Sequence, residues 1–488
     1  MAGQAQIITP SLIISRPSPY RADQILVQPK RGAELQALDR LHASLRGQVL
    51  RTFERLDHLQ VVSVPQDETV TSLIAKYQQS GLAEFAEPDY FRRLSLEPND
   101  PKYLDGTLWG LNNYGQNGGT PHADIVATNA WELLTSASNV VVAILDSGVR
   151  YTHEDLAANM WTNQDGHYGL NAIAGTLDPN DDNGHGTQMA GVIGAVGNNG
   201  KGVVGVVWQV QMMACKCFSA GGQTSDSAII ACMDFAQTNG ARVLNASFNG
   251  PGYSEALSNA IYSARSAGII LVASCGNANS PVNAVNVDLA PTYPACYGID
   301  NIVSVAYTTR YDTLGGLSNY GATNVDLAAP GDQIYSTFYA SDSSYYPPSP
   351  YINVAGTSFA AAYVSGALAL VLAKYPAELH QQIIARLLAA TDPLPSLAGK
   401  CATGGRLNLR KALSPPIRLV GVVASPVGSV QFQVACDPNR TCVIESTLDL
   451  AHWSPVYTNT TSSSGTFDFT DLTATNSAQR FYRAVSTP

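Results

Sequence analysis

Two runs of this 488-residue chain are almost wholly apolar and end in a polar side chain. Asn139-Val-Val-Val-Ala-Ile-Leu-Asp146 closes on a carboxylate, and Ile269-Ile-Leu-Val-Ala-Ser-Cys-Gly-Asn277 closes on an amide. Apolar runs without alternation are buried on both faces, as in a parallel sheet covered by helices. They predict strands carrying Asp146 and Asn277 at their carboxyl ends, the edge where open α/β sheets hold their sites. Two other segments read as helix starts. Asp182-Asn-Gly-His185-Gly-Thr-Gln-Met-Ala-Gly191 puts His185 at a glycine-rich opening, and Gly356-Thr-Ser358 precedes a long run of small and apolar residues reaching Gly366. The first N–H groups of a helix have no intrahelical partner, so a hydroxyl placed there sits where developing negative charge is favoured.

The flanks have different patterns. Gln24–Pro29, Leu59–Val64 and Ala83–Pro88 read as strands, with helical spacing over Ala33–Leu45 and Val70–Gln79, so the first hundred residues predict a small α+β domain. Beyond Ser414-Pro-Pro416 come short alternating runs at Arg418–Val423, Val430–Val434, Cys442–Ser446, Thr466–Thr470 and Arg480–Ala484. These predict a β-sandwich over 414–488. Trp453 within it reads as a core residue.

Singly, each polar residue has an ordinary explanation. Thr357 or Ser358 can cap a helix, a strand-end Asn forms turns, and a lone His or Asp is most often solvated. Together, a hydroxyl, a base to take its proton and a carboxylate to orient that base form a nucleophilic triad.

The order Asp146, His185, Ser358, inside Asp-Ser-Gly, His-Gly-Thr and Gly-Thr-Ser blocks, resembles the subtilisin-like serine proteases, the subtilase family, over about residues 98–413. The resemblance implies a doubly wound α/β domain with a mostly parallel sheet. It implies Ser358 as nucleophile, His185 as general base and then acid, Asp146 as the group that orients it, and Asn277 as an oxyanion donor beside the Ser358 N–H. For substrate it implies one edge with Ser247, Phe248, Asn249 and Gly250, an opposite edge with Gly221 and Gly222, and a pocket base at Thr292. Phe248-Asn249 and Thr292 depart from the common pattern, which leaves the preference at the scissile residue open. Ala362-Tyr363 replaces the frequent Pro-His pair and predicts a more regular serine helix.

Hard oxygens also gather. Asp155, and the glycine-rich loop Val196–Val203, suit calcium; the family pattern implies Asn199 and the carbonyls of Val196, Lys201 and Val203, joined by Asp155 and Asp100. In the same way residues 21–97 resemble an inhibitor-like propeptide, behind an N-terminal extension of residues 1–20. Processing is then expected within Arg92–Pro98, making the chain a zymogen. The rivals are a non-catalytic binding or adhesion protein on this scaffold, and a transpeptidase or ligase that passes the acyl group to an amine.

Charge and composition narrow the partners. A net charge of −10 argues against a nucleic-acid surface. Residues 1–98 hold 11 basic and 11 acidic side chains, so the excess acid falls beyond them. With 45% hydrophobic residues the chain can bury several cores. Eight cysteines suggest an oxidising compartment, with Cys436 and Cys442 placed to bridge a hairpin; Cys275 reads alternatively as a buried thiol. No paired C-x-x-C spacing points to zinc. No apolar run of about 18 residues is read, so no membrane span is expected. The polar start Met1–Gln6 is not a secretory leader, and the expectation is a secreted monomer whose leader was removed and Met1 added.

Overall fold

The computed structural model describes residues 20–32, 35–65, 67–90, 96–280, 283–346, 356–414, 417–424, 429–436, 440–450, 452–462, 464–474 and 479–486. Residues 1–19 of the expected N-terminal extension and most of the expected processing segment lie outside them, whereas Tyr20 already belongs to the first strand. The chain forms two compact units, residues 1–95 and 96–487.

In the first unit β1 (Tyr20–Pro29), α1 (Leu35–Ser44), β2 (Val49–Phe53), β3 (Leu59–Ser63), α2 (Val70–Ser80) and β4 (Ala83–Tyr90) alternate. The strands pair antiparallel in the order β2-β3-β1-β4. Ile25, Val27 and Val62 from the sheet pack on Leu38, Leu73 and Tyr77 from the helices. Thr69 and Ser72 exchange side-chain-to-backbone bonds at the start of α2, the reciprocal arrangement that satisfies two orphan N–H groups.

The second unit begins with the short helices α3 (Pro101–Leu104) and α4 (Ala127–Trp131). It continues through β5 (Ser136–Asp146), β6 (Gly169–Asn171), α5 (His185–Gly194), β7 (Gln209–Lys216), α6 (Asp226–Thr238), β8 (Ala241–Ala246), α7 (Glu255–Ser266), β9 (Ile270–Ser274), β10 (Ile302–Thr308) and β11 (Leu327–Pro330). A hairpin of β12 (Ser336–Thr337) and β13 (Tyr345–Tyr346) follows. Then come α8 (Thr357–Lys374), α9 (His380–Ala389), β14 (Asp392–Pro393), β15 (Gly405–Arg406) and α10 (Leu409–Leu413).

The main sheet runs β14-β15-β11-β10-β9-β8-β5-β7-β6, parallel except for the β14–β15 pair. Both faces are covered, as the apolar runs require. Along β5, Val142 and Ile144 join the cluster under α5 and α8, while Val141, Ala143 and Leu145 join the cluster under α6 and α7. Strand order reverses at β5, whose neighbours are β7 and β8, so the carboxyl end of β5 lies at the switch point of the sheet.

The expectation of no membrane-length apolar run needs correcting for α8, which is long and apolar enough to cross a membrane by composition. It is instead the central core helix, with 83% of that stretch buried inside the protein. It runs unbroken through Ala362-Tyr363, as expected without a proline.

The last strands are β16 (Arg418–Ala424), β17 (Val430–Ala435), β18 (Thr441–Thr447), β19 (Ser454–Thr460), β20 (Thr466–Asp471) and β21 (Phe481–Ser486). They form two antiparallel sheets, β16-β17-β20 and β19-β18-β21. Phe432, Val434, Phe467 and Phe469 from the first share one apolar cluster with Cys442 and Ile444 from the second, as in a sandwich. The expected bridge is not formed here. Cys436 Sγ and Cys442 Sγ stand 3.4 Å apart, beyond the bond length of about 2.0 Å, and no disulfide joins any of the eight cysteines.

Candidate active site

Asp146 ends β5 and is 4% exposed. Its Oδ1 accepts the Ser147 N–H at 2.7 Å, and its main-chain oxygen accepts from Cys217 N and Phe218 N, tying the strand end to the start of the next loop. His185 is the first residue of α5, and its Nδ1 stands 2.9 Å from both carboxylate oxygens of Asp146. The approach that permits this is tight. A Cβ on Gly186 would fall 2.0 Å from Gly148 O, so only glycine lets the helix start meet the Asp-Ser-Gly turn.

The loop into α5 is held by Asp181, a buried acid the sequence reading did not single out. Its Oδ1 accepts from Ser147 Oγ, Asn183 N and Gly184 N, and its Oδ2 from Thr187 N and Thr187 Oγ1. Burial disfavours the charged form of His185, but the charge and hydrogen bond of Asp146, with a smaller contribution from Asp181, outweigh it. The imidazole is left above its ordinary value.

Ser358 is the second residue of α8. Its Oγ donates to Ser247 O at 3.1 Å while Ser247 Oγ donates to Ser358 O at 3.0 Å, so the helix start is docked on the end of β8. Asn277 sits opposite. Its Oδ1 accepts from Thr357 N at 2.9 Å and Thr357 Oγ1 at 3.3 Å, and Thr357 Oγ1 in turn accepts from Gly276 N. This fixes the amide orientation and leaves Nδ2 as the free-facing donor end.

A cavity of about 260 Å³ opens beside the imidazole, lined by Asp146, Ser147, Asn183, His185, Phe218, Gly222, Ser247 and Phe248. Phe218 and Phe248 form a tilted ring pair with centroids 5.3 Å apart. Of the expected substrate residues, Gly222, Ser247 and Phe248 line this cavity. Gly221, Asn249, Gly250 and Thr292 do not. A Cβ at Gly222 would meet nothing within 4 Å, consistent with an open approach. Gly250 pairs with Tyr293 through two backbone bonds, and Thr292 Oγ1 donates to Cys275 O. Asn249 is exposed, its amide against Gly276.

The expected calcium residues also converge. Asp100 and Asp155 are both fully buried. Burial raises each, and with the charge of Asp155 added it brings Asp100 to about 6. Asp155 accepts from Asn199 Nδ2 at 2.7 Å, Val203 N at 2.9 Å and the Tyr345 hydroxyl at 3.2 Å; Asp100 accepts from Asn198 N and Asn199 N. Asn199 Oδ1 accepts from Lys201 N. Among the described residues, the carbonyls of Val196, Lys201 and Val203 accept no backbone hydrogen bond. Two neighbouring buried carboxylates with unused carbonyls beside them fit a hard cation. Lys201 pairs outward with Glu154, so it does not neutralise them. No cluster of three acidic, histidine or cysteine side chains suited to a metal occurs among the described residues.

The subtilase family model matches residues 137–408, more than half of the chain. The chain belongs to the subtilase family. A fervidolysin N-terminal prodomain model matches residues 15–89. Among curated relatives, thermitase of Thermoactinomyces vulgaris is 31% identical over 316 residues, covering 65% of this chain and 99% of thermitase. Subtilisin Savinase of Lederbergia lenta is 37% identical over 248 residues, covering 51% of this chain and 81% of that protein. A solved structure of proteases from Pseudoalteromonas arctica, 28% identical, covers 65% of this chain and 98% of its own, with a TM-score of 0.54. This subtilase is therefore a serine endopeptidase with an N-terminal prodomain.

Proposed function

We propose that this subtilase is a secreted, calcium-stabilised zymogen that removes its own prodomain and hydrolyses peptide bonds through an acyl-enzyme on Ser358. The observation that carries the reading is the held amide of Asn277, whose Oδ1 is occupied by Thr357 beside the nucleophile so that Nδ2 remains to donate. The proposed division is an extension to residue 20, prodomain 21–97, catalytic domain 98–413 and accessory sandwich 414–488.

The steps follow from the groups in place. Ser358 Oγ turns from Ser247 O toward His185 Nε2, which takes its proton as the oxygen attacks the scissile carbonyl. Asp146 holds the Nδ1–H and stabilises the imidazolium that forms. The oxyanion is received by Asn277 Nδ2 and Ser358 N–H. His185 then gives its proton to the leaving amine, the C–N bond breaks, and water repeats the sequence on the ester to release the acid and restore Ser358. An extended substrate would add to the edges near Gly221–Gly222 and Ser247–Gly250 by main-chain pairing, with Thr292 toward the pocket base.

Calcium, held by Asp100, Asp155, Asn199 and the carbonyls of Val196, Lys201 and Val203, would supply positive charge to two buried carboxylates. An oxidising exterior would also allow Cys436 and Cys442 to close their 3.4 Å gap into a disulfide. The test is intact mass and hydrolysis of an unstructured protein, for the wild type and Ser358→Ala, with and without chelator. Loss of roughly the first hundred residues and proteolysis in the wild type alone, weakened by chelator, is expected. An inert wild type after removal of the N-terminal unit would sink the catalytic assignment.

A further inference from the structure

Lys216 is the last residue of β7, and its Cα pairs with that of Asp146 across the parallel ladder. Its side chain is only 4% exposed. The three ammonium hydrogens find three acceptors: Ser147 O at 2.6 Å, Phe218 O at 3.1 Å and Asp182 Oδ1 at 2.5 Å. Two of the acceptor residues line the catalytic cleft, and the third lies on the loop that leads to His185. The Ser147 N–H fixes Asp146 Oδ1, and Ser147 Oγ accepts from Gly186 N at 3.0 Å on the helix that carries His185. Phe218 lines the cavity beside the imidazole. Asp182 stands three residues before His185 and is half exposed.

A buried ammonium is expensive to keep unless it is fully bonded, and here all of its bonds go to parts that must be held in register for proton transfer. We propose that Lys216 is the positioning residue of the triad: it ties the Asp146 turn, the cleft rim at Phe218 and the loop leading to His185 together, and it neutralises Asp182, three residues before the base. The inference rests on the triad reading. The charges acting on His185 are Asp146 from β5 and Asp181 from the loop before α5; Asp182 in the same loop is paired with Lys216 from β7, and α8 and the end of β8 bring only the neutral Ser358 and Ser247. With Lys216 paired to Asp182, the base responds to Asp146 and Asp181. Without it, an uncompensated carboxylate joins them.

The test is the pH dependence of kcat and kcat/KM for wild type, Lys216→Met, Asp182→Asn and the double variant, with melting curves and Ser358→Ala as control. Lys216→Met is expected to lower kcat about tenfold through misplacement. It should also move the acid limb upward by about half a pH unit, because the lost cation and the exposed Asp182 charge both favour imidazolium. Asp182→Asn should move the limb down, and the double variant should return it close to wild type while kcat stays low. A purely structural ion pair would change melting and leave the limb where it was, which overturns the proposal. If Lys216→Met does not fold, the half-exposed Asp182→Asn decides by the same limb. Hydrolysis that survives Ser358→Ala would remove the triad reading and this one with it; Ser358-dependent hydrolysis whose limb ignores both charges removes Lys216 alone.

Discussion

Opposing forces meet on His185, and their balance sets how the site should respond to pH. Enclosure of the ring favours the neutral form, whereas Asp146 and Asp181 favour the cation and prevail, so the protonated form persists above its ordinary pKa of about 6.5. A general base must be neutral, so kcat/KM should rise through an acid limb lying above pH 6.5. Asp146→Asn should move that limb down and cut kcat by about 10⁴, the loss known for this change in a triad on another fold. A pH–rate series on both proteins checks it, and an unmoved limb would deny Asp146 its role. For stability the sign is reversed: a raised folded pKa adds stability below pH 6.5, and that is lost as pH rises through the folded value. Asn277→Ala should lower kcat by about 10²–10³, the range known for such a donor in a subtilisin, with KM little changed; steady-state kinetics decide. These side chains were legible because each closes an apolar run or opens a glycine-rich helix. Asp181, Asn183 and Phe218 were not, since a loop acid, a loop amide and one more aromatic carry no pattern. Lys216 had a signal that went unused, a lone charge between two cysteines directly after the apolar run Met212–Cys215.

The hairpin β12–β13 shows how one element joins two sites. Ser336 Oγ and Thr337 Oγ1 donate to the carbonyls of Gln188 and Thr187 on α5, the helix of His185. At the other end the Tyr345 hydroxyl reaches Glu154 and Asp155, each at 3.2 Å, and its ring lies so close to Gly202 that a Cβ there would overlap it. If Asp155 holds calcium, Tyr345 orients that ligand from outside, and loss of such a partner typically weakens a metal about tenfold or more. Tyr345→Phe should therefore melt like wild type in chelator yet need about tenfold more calcium for the same gain in melting temperature; equal calcium titrations would refute the coupling. In the prodomain, His42 is buried with its two ring nitrogens against Tyr77 OH at 2.8 Å and Gln60 Oε1 at 2.7 Å. Burial lowers it despite the Gln60 bond and the nearby Asp39. The unfolded imidazole then binds its proton more readily, so prodomain stability present at neutral pH is lost as pH falls through about 6.5. Amide exchange in α1 and α2 of the Ser358→Ala chain should quicken between pH 7.5 and 5, and His42→Gln should flatten the difference. Periodicity marked β1, β3, β4, β5, β9, most strands of the sandwich and the helices α1, α2, α5 and α8, and it passed over β6, β7, β10, α6, α7 and α9; β2 and β19 could not be read at all. Their residues are largely exposed on both faces, which leaves no alternation to find.

Across the whole molecule, apolar burial closes separately in its parts, and this bears on what the strand-rich end contributes. The catalytic fold is sealed by α10, where Leu409, Ala412 and Leu413 join the main core and the Tyr375 hydroxyl donates to Leu413 O at 2.9 Å. The sandwich has its own cluster around Phe432, Ile444 and Phe469. Between them lies a crevice of about 500 Å³ lined by Glu378, Arg386 and Lys411 on one side and Ile417 and Arg440 on the other. The crevice leaves the two apolar clusters unjoined, so the junction resembles a contact between domains more than a shared core. None of the residues placed in the active site comes from the sandwich. A chain ending at residue 414 should therefore fold and keep kcat/KM on a short peptide within about twofold, with its melting temperature within about 5 °C of the full protein. Intact mass, melting curves and peptide hydrolysis on the truncated and full chains check this. A truncated chain that aggregates or loses Ser358-dependent activity would show instead that the sandwich is part of the catalytic fold, and that the seam at the crevice carries more than the two separate clusters indicate.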